Sequence, residues 1–493
     1  MEQGIAALTY AVRPRAVGHY LGQLFVVLAA LTVAPLLVSL WYGEYAFTWR
    51  LGAVIAVLLL TGWPLMRLPT PPHIQANEAL VLVALTFIIA SALMTYPMMA
   101  AGLGGLDAWF ESVSGVTTTG LSTLAHLNGR PHTFLFLRAW MQWYGGLGIV
   151  VLSLALLMGH HMAARRLAEP VVGEALATTA RTHARRMLAV YVALTVFGVA
   201  LLWALGMGGF EAVSHVLAAV STGGFSTFNA SLAGLDRWSM RFGVMAIAFC
   251  GAVPLVLYYR AVHGEWRAVL RDVELRALAA ATLLVGVLLT VFMAQTPAAG
   301  GGAPLGFGRA LADGMLLGIS AQTTTGFTSV PIVALAAPAK LVLIAAMAVG
   351  GGVGSTAGGI KMLRLIVVLR IVQFTVRRSA IPTHAVVTPR VGGRALEQED
   401  VVRALLLVVL FALVALLSWL AFLVYGFDPL DALFEVTSAT ATVGLSTGIT
   451  SHALAAPLKV ILCLDMLLGR LEIVALLVLF YPPTWFGKRG ETP

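Results

Sequence analysis

A run of hydroxyls and glycine, SGVTTTGLST (Ser114–Thr123), interrupts an apolar stretch of the chain, and it occurs in four versions. Aligned on one glycine they read TTTGLST (Thr117–Thr123), STGGFST (Ser221–Thr227), TTTGFTS (Thr323–Ser329) and ATVGLST (Ala441–Thr447). Gly120, Gly224, Gly326 and Gly444 share a column, as do Thr118, Thr222, Thr324 and Thr442. Thirteen residues before each glycine stands an acid: Asp107, Glu211, Asp313 and Asp431. The glycines are separated by 104, 102 and 118 residues. In a chain with only 22 acidic residues, four matches at one offset mark an internal repeat rather than coincidence.

The surroundings of each copy are those of a membrane protein. Of 493 residues, 59% are hydrophobic and 11% charged, where a soluble chain carries about a quarter charged residues. Crossing ~30 Å of hydrocarbon takes ~20 apolar residues as a helix. The first qualifying stretch, Leu21–Gly43, is too long for a signal-peptide core and lacks a small-residue cleavage site after it, so it reads as a retained span. The net charge of +9 gathers in short alternating loops, around Arg165, Arg166, Arg185 and Arg186, Arg260 to Arg271, Arg364 to Arg403, and Lys488 with Arg489. That is the positive-inside pattern, with both termini cytoplasmic. No loop is long enough to be a basic nucleic-acid-binding domain. Cys250 and Cys463 lie in apolar runs and read as small packing residues.

Around each hydroxyl–glycine segment the organisation repeats. Long apolar runs precede it at about 77–100, 187–208, 276–296 and 402–426, and follow it at about 133–159, 238–259, 339–371 and 456–482. Roughly ten apolar residues lie between acid and threonines, enough for a helix reaching half way across. Such a segment must re-enter, and its non-helical return is tolerated only where it lines a watery path. The expected fold is an all-α polytopic membrane protein of four pseudo-fourfold span–pore-loop–span repeats with two additional N-terminal helices, giving ten full spans and four re-entrant half-helices. The boundaries are a two-helix extension at 1–72 and repeats at 73–183, 184–272, 273–398 and 399–493. Their hairpins occupy 107–123, 211–227, 313–329 and 431–447.

Glycine turns its carbonyl where other residues cannot, and four inward-facing sets of oxygens can replace the hydration shell of a monovalent cation. An acid in the first turn of each short helix would be stabilised by the helix dipole, whose negative end then faces the bilayer centre. Small residues for close packing explain the glycines but not four copies of Thr-x-Gly with an acid at a fixed offset.

With QWYGGLGI (Gln142–Ile149), GSTAGGIK (Gly354–Lys361) and MLLGRLEI (Met466–Ile473), these segments resemble the Trk/Ktr/HKT superfamily of cation transporters, most closely its Trk-H branch. The resemblance covers essentially the whole chain. It implies a potassium filter built from Thr117, Thr118, Thr119 and Gly120; Ser221, Thr222, Gly223 and Gly224; Thr323, Thr324, Thr325 and Gly326; and Ala441, Thr442, Val443 and Gly444. Serine at the first filter glycine goes with sodium passage in that family, so Gly120 favours potassium. The resemblance further implies a homodimer, a separate cytoplasmic nucleotide-binding ring protein of the Trk-A type, proton-linked symport, a bacterial inner-membrane location and no cofactor in this chain.

The span after the third filter runs about 33 residues and contains GGGVGSTAGG (Gly350–Gly359), which should break it, since an interior glycine costs about 1 kcal/mol relative to alanine. Gly352, Gly354 and Ala357 satisfy G-x-G-x-x-A, but no strand–helix unit surrounds them and the next acid is Glu397, too distant for a ribose hydroxyl. By resemblance the segment is a pore-blocking loop, with Gly350, Gly351, Gly352, Gly354, Ser355, Thr356, Gly358 and Gly359 as the gate and Arg470 approaching it. Alternatively, Arg470 forms a structural ion pair with Glu472 or Asp465. Lys361 reads as a cytoplasmic helix end. His215 shares a column with Glu111, Leu317 and Glu435; a packing histidine is the simpler reading than a proton carrier. His160 and His161 read as a solvated helix end.

Rival classes are a membrane-embedded enzyme and an organic-solute carrier. The chain has no H-E-x-x-H and no paired intramembrane aspartates. Carriers with broken helices usually repeat twice, not four times.

Overall fold

Apolar helices dominate the computed structural model, which describes residues 11–69, 74–148, 173–295, 306–380, 389–392 and 394–486. Among these residues six helices are long and apolar enough to cross a bilayer: Pro14–Trp41, Tyr45–Met66, Ala76–Ala101, Ala184–Ala204, Val273–Gln295 and Gln398–Val424. Their outward faces are hydrocarbon. On Gln398–Val424, Leu405, Leu406, Val409, Leu413, Leu416 and Leu417 are all exposed. A soluble monomer does not show an apolar face of that extent; the chain is a multi-pass membrane protein.

The first two helices form a hairpin in which small residues allow the backbones to meet. A Cβ on Gly22 would lie 2.7 Å from the Gly62 carbonyl oxygen. This hairpin is tied to the rest at one end, where Arg13 pairs with the buried Glu78 at 2.7 Å. The neighbouring Val12 N–H donates to the Thr484 carbonyl at 2.8 Å, so the N-terminal and C-terminal segments lie side by side.

Four short helices, Gly105–Val116, Gly209–Val220, Phe307–Gln322 and Pro429–Thr440, each follow a long one. Twelve residues rise ~18 Å, about half the hydrocarbon thickness. Asp107, Glu211 and Asp431 stand in the first turn of their helices. Asp313 does not, contrary to the sequence expectation: its helix begins six residues earlier, at Phe307. The cause is local. Gly104-Gly105, Gly208-Gly209 and Asp428-Pro429 start the other three helices, whereas the matching Ala310-Leu311 carries no start signal and the helix extends back about one more turn.

A second correction concerns the helices after the hydroxyl segments, expected as continuous crossings except in the third repeat. The first of them is described over 132–148; the remainder to 159 lies outside the described residues, as do His160, His161, Arg165, Arg166, Lys488 and Arg489. The second breaks into Trp238–Ala252 and Leu255–Val262 with a 92° bend. Pro254 has no N–H to continue the ladder, and Gly352 of the glycine-rich segment packs on its ring. The third is Ala337–Val349 and Met362–Arg378, separated as expected. The fourth is Ala456–Arg470 and Val474–Phe480, broken where Glu472 and Ile473 take left-handed φ of 53° and 61°. There the Glu472 carboxylate turns to meet Arg364 at 2.6 Å and Lys361 at 3.4 Å.

Candidate functional site

Each short helix ends in the same way. At the first, Thr118 N–H donates to the Gly115 carbonyl (3.0 Å) and Thr119 N–H to the Ser114 carbonyl (2.9 Å). The same pair of bonds closes the second at Thr222 and Gly223, the third at Thr324 and Thr325, and the fourth at Thr442 and Val443. This is a Schellman closure, which places one residue in the left-handed region and normally uses glycine. Here it uses threonine four times, with φ of 55°, 53°, 54° and 52° at Thr118, Thr222, Thr324 and Thr442. A left-handed L-residue costs roughly 1–2 kcal/mol, and a β-branched residue there is an outlier. Four matched outliers in one column point to a use for the hydroxyls at that place.

The column glycines, with φ between 77° and 95°, bring the segments together. A Cβ on Gly120 would strike the carbonyl oxygen of Gly223; on Gly224, that of Thr325; on Gly326, that of Val443; on Gly444, that of Thr119. Each segment thus abuts the next, and the fourth returns to the first. The four copies form a closed ring, with Thr117, Thr119, Ser221, Thr323 and Ala441 all buried in it.

The returning strands are held from the column that sequence reasoning left unassigned. Glu111 accepts from Ser122 Oγ (2.6 Å) and Thr123 N–H (3.0 Å). Glu435 accepts from Ser446 Oγ, Thr447 N–H (2.8 Å) and Thr450 Oγ1 (2.8 Å). His215 does the same through Nε2, 3.0 Å from Ser226 Oγ, while its Nδ1 lies 2.8 Å from the Glu211 carbonyl. Both ring nitrogens are thus engaged. In all three cases the partner stands eleven residues on, a signal present in the sequence. The third repeat, with Leu317, substitutes Asp313, which accepts from Ser329 Oγ at 2.6 Å. Arg138 also pairs with Glu111 at 2.9 Å, and Gln142 braces the second segment at Gly223 O and Phe225 N–H.

Two of the repeated acids are joined to neighbouring repeats, which the sequence did not reveal. Asp107 accepts from Lys459 Nζ at 2.6 Å, and Asp431 from Lys340 Nζ at 2.6 Å. Glu211 folds back over Gly208 at the start of its own helix.

Gly350–Gly359 lies against the ring. Gly358 N–H donates to Thr324 Oγ1 (2.7 Å), and Gly359 N–H to the Ala441 carbonyl (3.1 Å). Thr356 Oγ1 donates within 2.9 Å of the Val220 and Gly251 carbonyls and lies 3.4 Å from Thr222 Oγ1. Gln322 Nε2 donates to the Gly350 carbonyl at 2.8 Å. Gly350 and Gly354 take left-handed φ, Gly351 packs on Ala357, and Ser355 and Thr356 are fully buried. Arg470 Nη1 donates to the Thr356 carbonyl at 2.8 Å, and Nη2 lies 3.5 Å from the Gly145 carbonyl. Neither Glu472 nor Asp465 pairs with Arg470: the former holds Arg364 and Lys361, the latter Ser418 at 2.7 Å. Lys361 stands at a helix end, as the residue that opens Met362–Arg378, but it is buried there, with φ of 73°.

The comparisons with known proteins agree in direction. Residues 52–484 match the family described as TrkH, cation transport protein. An uncharacterized cation transporter of Methanocaldococcus jannaschii is 27% identical over 94% of each chain. The Trk system potassium uptake protein TrkI of Halomonas elongata is 30% identical, over 94% of this chain and 96% of its own. The crystal structure of the potassium transporter TrkH from Vibrio parahaemolyticus superposes with a TM-score of 0.84 at 26% identity, covering 96% of this chain and all of that one. On the strength of a match spanning most of its length, this chain belongs to the TrkH family of cation transport proteins.

Proposed function

We propose that the protein takes up potassium through a pore on the axis of the four-segment ring. The observation that carries this reading is the closed order of contacts, Gly120 to Gly223, Gly224 to Thr325, Gly326 to Val443 and Gly444 to Thr119. Such a ring is what four pseudo-fourfold span–pore-loop–span units would form. The sixteen filter positions then present oxygens in place of water around a bare cation. The relatives named for potassium uptake support the choice of ion. An inside-negative potential supplies ~2.3 kcal/mol per charge per 100 mV, about fifty-fold accumulation at 1.36 kcal/mol per decade, without a nucleotide-hydrolysing site.

In this reading Gly350–Gly359 is the gate, since it reaches the second, third and fourth segments at once and Arg470 holds it from the last repeat. Asp107, Glu211, Asp313 and Asp431 orient the short helices. The contact of Val12 with Thr484 supports termini on one side, the cytoplasmic side of an inner membrane by the distribution of arginine. The basic stretch 375–403 is the surface offered to a cytoplasmic nucleotide-binding ring, and the assembly is a homodimer. The resemblance adds proton-linked symport.

Rubidium or potassium flux into liposomes under controlled pH and voltage tests all of this, with Gly120→Ser as the comparison. Potassium-selective flux that loses selectivity in the variant supports the reading. Absence of alkali-cation flux, or flux of an organic solute instead, sinks it, and a pH gradient alone driving potassium reads out the proton linkage.

A further inference from the structure

The left-handed threonines differ in how their hydroxyls are used. Thr118 Oγ1 and Thr442 Oγ1 are buried and have no hydrogen-bond partner among the described residues. Thr324 Oγ1 accepts the Gly358 N–H at 2.7 Å, and Thr222 Oγ1 donates to the Ser221 carbonyl at 2.7 Å and faces Thr356 Oγ1 at 3.4 Å. A Cβ on Gly358 would overlap both the Ala441 carbonyl oxygen and Thr442 Oγ1, so the glycine backbone fills the space against this row. An orphaned buried hydroxyl costs roughly 1–3 kcal/mol; two of them, each on a residue already in a strained conformation, are kept against that cost.

An N–H dipole and a dehydrated monovalent cation satisfy an oxygen in the same manner, by presenting positive charge to its lone pair. We propose that the four threonine hydroxyls form an inner cation site that the loop holds shut with the Gly358 and Gly359 N–H groups, so that a permeant cation and the closed loop compete for the same oxygens. This rests on the pore reading above and adds to it a link between ion and gate. Thr118 and Thr442 are the oxygens left waiting; Thr324 and the Ala441 carbonyl are those the loop has taken. Gly358 is restricted to glycine because any side chain would strike the row it covers.

Competition of this kind is a linkage. A cation that binds the open arrangement and not the closed one multiplies the open-to-closed ratio by about one hundred at one hundred times its dissociation constant. The test uses the full chain in liposomes, carrying Ser355→Cys with Cys250→Ala and Cys463→Ala, and follows labelling by a membrane-impermeant thiol reagent. Labelling is expected to rise at least tenfold as potassium or rubidium replaces N-methylglucamine. Thr324→Ala, which deletes the acceptor of Gly358, is expected to raise potassium-free labelling about tenfold, and Thr324→Ser to restore it. Should Thr324→Ala fail to insert, the ion dependence of the Ser355→Cys protein decides alone. Labelling that is indifferent to the cation, in vesicles that still show potassium-selective flux, overturns this inference and leaves the pore reading standing. Loss of selective flux in unmodified protein removes both.

Discussion

Arg470 Nη1 donates to the carbonyl oxygen of Thr356 across 2.8 Å, joining residues 114 positions apart. The guanidinium is buried, and among the described residues it has no carboxylate partner. Its charge is spent on backbone carbonyls of the glycine-rich loop and of Gly145. Hydrogen bonds from a charged donor contribute about 1.5–3 kcal/mol, enough to hold one loop conformation over another.

Arg470→Gln therefore loosens the loop. Rubidium flux into liposomes without any added protein is expected to rise at least tenfold, with potassium preference retained because the ring itself is untouched. A variant that folds and leaks no more than its parent separates Arg470 from gating.

Gly120→Ser acts on the ring. Its φ of 88° carries a penalty of roughly 1–2 kcal/mol for an L-residue, and the new Cβ meets the Gly223 carbonyl oxygen. Displacing that oxygen widens the cage. The rubidium-to-sodium flux ratio is expected to fall about tenfold, and an unchanged ratio removes Gly120 from the selective element.

Lys459 and Asp107 are 5% and 8% exposed, and their 2.6 Å pair ties the fourth repeat to the first. Removing one partner of a buried pair costs about 3–5 kcal/mol. Lys459→Met is expected to lower the unfolding midpoint in detergent clearly, and Asp107→Asn added to it to recover part of the loss. Additive losses in that double-mutant cycle are the result this account does not survive.

Glu435 receives bonds from four donors of the fourth return strand. Glu435→Leu copies Leu317 of the third repeat without supplying the Asp313–Ser329 bond that replaces it there. Each stranded donor costs about 1–3 kcal/mol, so both the unfolding midpoint and the rubidium preference are expected to drop. Glu435→Gln, which keeps an acceptor, is expected to lie between.

Several features could be read directly from residues because they are periodic and local. The Thr-x-Gly columns, the acids thirteen residues upstream and the glycine-rich interruption each occur within one short window. The same columns contained the Glu111–Ser122, His215–Ser226 and Glu435–Ser446 bonds, at a constant offset of eleven, once the return of the strand was known. The misread start of Phe307–Gln322 came from applying the repeat where the local Gly-Gly or Asp-Pro signal was missing.

The break at Glu472 was not legible, and the one at Pro254 was hidden within an apolar run although the proline itself was there to be read. A hydropathy run measures transfer from water to lipid and is blind to whether the backbone inside it stays helical. At Pro254 the missing N–H coincides with Gly352 packed on the ring; at Glu472 the chain turns where its carboxylate meets Arg364 and Lys361.

Sequence alone determined that the chain crosses a membrane, repeats four times and offers a hydroxyl–glycine turn in each repeat, since apolar length and backbone permissiveness are properties of neighbouring residues. Only the tertiary structure decided that the fourth turn meets the first, that Lys340 and Lys459 serve acids in other repeats, and that Arg470 chooses Thr356 over Glu472. A contact between residues ninety or more positions apart depends on how helices pack around a common axis, and no local pattern of residue types records that geometry.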